Sequence, residues 1–300
     1  MGWRWRGWAT ASDAYGIASP LNESLTDATV ASDETHPDFS GVSRGACLYH
    51  FTRADVAASI LDQTEIRMSP LENTNDPREA KDWFVTPVSA TSGFDPSLFQ
   101  LTQEALNVRL KRETKVACFS VDGPRKANRD EEPLERGWAH PRMWAHYGDN
   151  HAGVCLVFHA PRLEAAFREG LNARGTLHAG PGVYSDMNPA LTQAFVMNMT
   201  TVADHGMNAA IDVHAAAHLG TLLFTKLSDW STEMEFRFVL RGRDTSFEFV
   251  DTRDALAAAC VGSDYSDSDA SGVLARLAAK QLPAFRVQWS NGHPTLVALP

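Results

Sequence analysis

The chain has 300 residues, with 27 Lys and Arg against 37 Asp and Glu, giving a formal net charge of −10. A composition of 44% hydrophobic and 21% charged residues excludes wholesale disorder and fibrous structure. The acidic balance argues against an extended clamp on a nucleic-acid backbone, and no apolar run approaches the ~20 residues that cross a bilayer.

The amino terminus, Met1 to Trp8, carries three tryptophans and two arginines but lacks the apolar core of a secretory signal. It reads as an interfacial anchor, a docked strand or a loose accretion. Residues 9–45 are polar and acidic, so residues 1–45 form a leader that is partly disordered on compositional grounds. Cys47, Cys118, Cys155 and Cys260 are widely spaced, three of them in apolar runs. That pattern suits buried thiols and a reducing, cytoplasmic setting.

Order is expected from Ala46, where ACLYHF reads as a strand, followed by a helix from Arg53 to Gln63. Glu65–Ser69 alternates as a short strand, and 70–77 is a turn-rich loop in which Asp76 before Pro77 is a turn former. A second helix is expected over 98–112, a strand over 115–121, and a punctuated loop over 122–141. Arg142 to Tyr147 reads as a short helix and Gly153 to His159 as a buried strand. Helical patterns follow at 162–169 and 192–223, with a small strand at Val183-Tyr184. Glu233 to Leu240 alternates as a half-buried strand, and 247–250 is expected to pair with it across the turn at 242–245. A final hairpin turns at Asn291-Gly292. Strands scattered among unequal helices indicate an α+β fold, most simply one domain over 46–300.

The common phosphate-loop, dinucleotide, nucleophile-elbow and zinc-protease signatures are missing. His214 and His218 stand four apart on a helix, but without a third ligand an ordinary helical face fits better than a metal site. Three patches carry more. Leu48 to Thr52 is a strand ending in His50 and Thr52. Met143 to Gly153 packs Trp144, His146, Tyr147 and His151 into a helix and turn, a mixture suited to stacking on a heterocycle. Lys226 precedes Trp230 to Arg237, where a continuous strand would put Glu233, Glu235 and Arg237 on one face. Two carboxylates so placed repel unless a cation stands near, and such pairs are frequent at catalytic sites.

Taken together, LYHFT, EIRMSPLENTNDPREA, VACFSV, MWAHYGDNHAGVCLVF and K-x-x-x-W-S-x-E-x-E-F-R resemble a widespread bacterial domain of unknown function over roughly residues 46–240. A second resemblance is to the ADP-ribosyltransferase superfamily. It rests on a first strand ending His-x-Thr, a serine after the second strand (Ser69), an aromatic platform and a late strand bearing Glu-x-Glu.

That resemblance implies a split, two-sheet core with surrounding helices and NAD in the cleft, as substrate of a glycosyl transfer. Catalytic roles would fall to Glu235, Glu233 and His50. His50 would hold a ribose hydroxyl, while Tyr147 or Trp144 would stack on nicotinamide. Glu235 would engage the ribose and stabilise the oxocarbenium, and Glu233 would orient or deprotonate the acceptor. Thr52 and Ser69 would complete the nucleotide site, with Arg78, Lys226 and Arg237 as a locally basic rim; no metal is implied. The implied protein is a bacterial defence or toxin effector acting on a macromolecule. The alternatives are a nucleotide-sensing module without turnover and an interaction scaffold using the tryptophan-rich terminus.

Overall fold

A computed structural model describes residues 39, 42, 45–90, 93–124, 133–266, 268 and 271–300. The expected leader over residues 1–45 falls largely outside these residues. The chain is a mixed α and β structure around a large sheet, in which β1 is Cys47–Thr52, β2 Glu65–Pro70, β3 Thr86–Val88, β4 Thr114–Ser120, β5 Val154–His159 and β6 Thr176–Pro181. Then follow β7 Val183–Tyr184, β8 Val196–Asn198, β9 Thr225–Lys226, β10 Glu235–Arg241, β11 Glu248–Asp251, β12 Leu256–Val261, β13 Ala284–Ser290 and β14 His293–Ala298.

Eight helices are interspersed among the described residues: α1 Ala54–Gln63, α2 Pro77–Ala80, α3 Pro96–Asn107, α4 Pro141–His146, α5 Ala160–Leu171, α6 Met199–His205, α7 Met207–Ala217 and α8 Val273–Ala279. The strands β3 with β8, and β7 with β9, form separate parallel pairs.

The large sheet forks at β4. One edge of β4 carries β10 along its whole length, with β6 beyond. The opposite edge is shared: β2 pairs at Ser69 with Val116, whereas β1 pairs at Tyr49 with Ser120. Ala117, Cys118 and Phe119 lie between these two registers, and the sheet opens there into two arms. The short arm is β2 with β11, and the long arm runs β1, β5, β12, β13, β14.

Burial alternates along the strands because successive side chains point to opposite faces. Leu48, Ile66, Met68, Phe119, Phe236 and Phe238 share one core with α1, α5 and α8. On the other face the cover is divided. Val116 and Val239 pack under α3, α6 and α7, and Tyr49, Phe51, Cys155 and Val157 pack under Trp138, Met143 and Trp144. The fork lies where these two covers part.

Several local expectations change. The helix expected over 98–112 is α3 followed by a π-helical turn, Val108–Arg112. The β11 strand pairs with β2, as Phe249 with Arg67, and not with β10, whose two edges are already taken by β4 and β6. The β6 strand, TLHAGP, and the alanine-rich β12 strand, LAAACV, show no clear polar–apolar alternation in sequence. Within 192–223, expected to be helical throughout, Val196–Asn198 is a strand. The four cysteines are free, with Cys47, Cys155 and Cys260 buried and Cys118 half-buried. The Asn291-Gly292 hairpin has both residues at positive φ, 52° and 82°, as a twisted two-residue turn requires.

Candidate functional site

A cleft of about 760 Å³ opens at the fork, lined from both arms and from β4. His50 shares the strand face of Leu48 and reaches into the opening, its ring centroid 5.5 Å from that of Phe119. Its Nδ1 lies 3.3 Å from the carbonyl oxygen of Cys118, in the stretch of β4 between the two arms. A carbonyl only accepts, so Nδ1 carries the proton and Nε2 keeps a lone pair. Burial pushes the imidazole pKa down, which favours this neutral form.

Tyr147 arrives from α4. Pro141 starts that helix at a position where its missing N–H costs nothing. Met143 and Tyr147 are four apart, so both lie on one side, toward the cleft. The helix ends at His146, with Tyr147 as its cap, and Asp149, Asn150 and His151 then turn the chain toward β5 with positive φ, at 50°, 49° and 70°. Gly153 is required just after this turn, because a Cβ there would sit 2.4 Å from the backbone oxygen of Thr52.

The polar centre comes from β9, the turn after it and β10. Thr225–Lys226 pairs in parallel with β7, and a 3₁₀ turn over Ser228–Glu233 brings Trp230 back to 4.9 Å from Lys226 Nζ. Met234 is left-handed, at φ 46°, and only then does β10 begin. Glu233 is therefore not a strand residue, contrary to the alternating reading. The kink nevertheless turns it back beside Glu235. Lys226 Nζ donates to Glu233 Oε2 at 2.5 Å and to Glu235 Oε2 at 2.8 Å.

The network extends both ways. Tyr147 donates its hydroxyl proton to Glu233 Oε1 at 2.6 Å and accepts from Asn75 Nδ2 at 2.8 Å. Arg237 Nε donates to Glu235 Oε1, and Arg237 Nη1 donates to Glu79 Oε1 and to the carbonyl of Leu223, at 2.6 and 2.7 Å. Tyr184 accepts from the Glu235 amide at 2.9 Å. The two carboxylates are displaced in opposite directions. Burial works to raise Glu235, but Arg237 and Lys226 outweigh it and hold the group down at about 2. Glu233 moves up, because its burial outweighs the pull of Lys226 and Tyr147. Such a divided pair is the pattern of an acid–base site.

Of the residues expected at the site, His50, Thr52, Ser69, Tyr147, Lys226, Glu233 and Glu235 line this one cleft. Three do not. Trp144 is fully buried, edge-on to Phe51, and its Nε1 donates to the Trp138 carbonyl at 2.7 Å, so neither ring face is free to stack. Arg237 is fully buried beneath Glu235, where it neutralises carboxylates instead of meeting a ligand. Arg78 turns away to donate to the Thr221 carbonyl at 2.9 Å. Asp76 caps α2 by accepting from the Arg78 amide at 2.9 Å, the turn role its place before proline suggested.

Residues 143–238 match the model of a family described as a protein of unknown function, DUF2971. The match takes in Tyr147, Lys226, Glu233, Glu235 and Arg237, the polar centre just described; His50, Ser69 and Glu79 lie before it. No curated protein and no solved structure matches the chain. Among the described residues no group of three or more His, Cys, Asp or Glu is placed to hold a metal ion. Nor is any helix there long and apolar enough to cross a membrane.

Sequence reasoning missed Glu79, Tyr184, Ser120 and the β2–β11 wall of Arg67 and Phe249. Glu79 lies inside the quoted NDPREA motif, yet its partner Arg237 is 158 residues away and no local spacing marks the pair.

Proposed function

We propose that the cleft binds NAD and transfers ADP-ribose to a macromolecular acceptor. The observation that carries this reading is the oppositely displaced pair Glu233 and Glu235, gripping one lysine on the wall of a dinucleotide-sized cleft that His50 also reaches. In the step, the bond from ribose C1′ to the pyridinium nitrogen breaks and its electron pair leaves with neutral nicotinamide. The acceptor's O–H or N–H attacks C1′, and the released proton passes to Glu233.

The division of labour differs from the sequence-based expectation. Glu235 is held between two buried cations, Lys226 and Arg237, so it anchors the lysine and its charge is screened from a developing cation. Glu233 shares Lys226 and otherwise meets only the neutral Tyr147 hydroxyl. Glu233, which burial makes a stronger base than an ordinary carboxylate, is the working base. Tyr147, half-buried and on the wall, takes the stacking or hydroxyl-binding role that Trp144 is not placed to fill. The test is incubation of the full chain with NAD and cell extract. Nicotinamide release that disappears in Glu233→Gln supports the transfer; a folded protein releasing none in any extract rejects it.

A second reading is a nucleotide sensor without turnover. It is favoured by the closure of the polar chain from Asn75 to Glu79, in which every carboxylate is already bonded. That reading expects NAD to raise the melting temperature with no chemistry, in wild type and Glu233→Gln alike.

A further inference from the structure

We infer that the far wall of the cleft, on the short arm, is a mononucleotide subsite: Phe249 stacks the base and Arg67 holds the phosphate. This rests on the reading of the cleft as a nucleotide site and says where the nucleoside phosphate lies. Arg67 on β2 and Phe249 on β11 are register partners, so their side chains stand beside each other on one face. Ile66, Met68 and Val250 point the other way, into the core under α1 and α5. The Arg67–Phe249 face is therefore the one that carries Ser69, Val116 and, across β4, Glu235. Where β2 still pairs with β4, at Ser69 and Val116, β11 to β10 is three strand spacings, roughly 14 Å, and the arms part from there toward Arg67. That span lets one ligand reach from the aromatic wall to the carboxylates.

The side chains have unspent capacity. Phe249 is 50% exposed although it lines a cleft; the other phenylalanines lining the cleft, Phe51 on β1 and Phe119 on β4, are buried. Arg67 is exposed, and its guanidinium lies over the Phe247 ring, 4.7 Å from the centroid, within cation–π range. It has no carboxylate partner among the described residues. Even Glu65, two residues away on the same strand face, makes no ion pair with it. In a chain of formal charge −10, a stacked, uncompensated cation beside an open aromatic ring matches a planar heterocycle carrying a phosphate.

The test is calorimetric titration of the full chain with AMP, adenosine and ribose 5-phosphate, in wild type, Phe249→Ala and Arg67→Ala. Melting temperatures confirm that each variant folds. AMP is expected to weaken by about tenfold in each variant, the scale of one stacked base or one phosphate contact. Adenosine should depend on Phe249 alone and ribose 5-phosphate on Arg67 alone. AMP that does not bind wild type, or binds both variants unchanged, overturns the subsite. Nicotinamide release is measured alongside. If AMP binding follows the expected pattern while no nicotinamide is released, the transfer reading falls and the subsite stands. If NAD is turned over and both variants retain wild-type affinity, the subsite falls and the transfer stands.

Discussion

Glu233 and Glu235 hold one ammonium between them, Lys226 Nζ lying 2.5 Å from an oxygen of the first and 2.8 Å from an oxygen of the second. The two are separated by a single left-handed residue, Met234. Their remaining oxygens face different partners, a tyrosine hydroxyl for Glu233 and a buried guanidinium for Glu235. Two identical side chains thereby acquire different chemistry.

Glu235→Gln is expected to cost stability and Glu233→Gln to cost function. Removing the Glu235 charge leaves fully buried Arg237 and buried Lys226 short of a counterion, a loss of about 3–5 kcal/mol for a broken buried pair. Chemical denaturation of both variants tests this; equal loss in the two, or none in Glu235→Gln, contradicts the assignment of Glu235 as anchor.

Trp144→Phe is expected to lower stability without changing ligand affinity. The substitution removes the donor to the Trp138 carbonyl, leaving a buried acceptor unpaired at about 1–3 kcal/mol. A large change in NAD or AMP affinity with unchanged melting temperature points instead to a ring that reaches the ligand.

Gly153→Ala is expected to destabilise the fold. Its Cβ would sit 2.4 Å from the Thr52 oxygen and 2.8 Å from the Gly148 backbone, atoms fixed in β1 and in the left-handed turn. Overpacking of this kind costs about 1–3 kcal/mol, more where backbone must move. Wild-type denaturation midpoints for Gly153→Ala contradict the packing argument.

Stability is expected to fall with acid before the carboxylates titrate. Burial pushes His140 down from 6.5 to about 4, so below its unfolded value the unfolded chain binds the extra proton. The stability from keeping His140 neutral is fully present above pH 6.5, and it is lost as pH falls through about 4. Up to roughly 3 kcal/mol is involved. Denaturation at a series of pH values shows the slope, and His140→Asn should flatten it; an identical slope in the variant assigns the effect elsewhere.

With Glu233 as the proton acceptor, ADP-ribose transfer rises with pH along a limb displaced above the ordinary carboxylate value, because burial raises this group. Rate profiles of wild type set against Glu233→Asp test it. A profile flat from pH 4 to 8 removes Glu233 from the proton step.

Much of the molecule was legible from local pattern. Leu48 and Phe51 marked β1, the run from Gly153 to His159 marked β5, and Asn291-Gly292 marked the last hairpin. Each signal is local because strand alternation and turn geometry depend on neighbours in sequence. The polar segments around His50, Tyr147 and Lys226 were also conspicuous, being chemically rich residues beside apolar strands.

What the sequence by itself determined was this set of strands and the residue types that meet at the cleft. Only the tertiary structure decided which of those residues face it. Trp144 and Arg237 look like ligand contacts in the motif, yet three-dimensional packing buries both. Phe249 lies outside every quoted motif and Arg67 stands in one without a marked role, yet strand pairing across 182 positions of chain sets them side by side on the wall. The fork in β4 arises because β1 and β2 claim different parts of one strand edge, a competition for hydrogen bonds that no local spacing encodes.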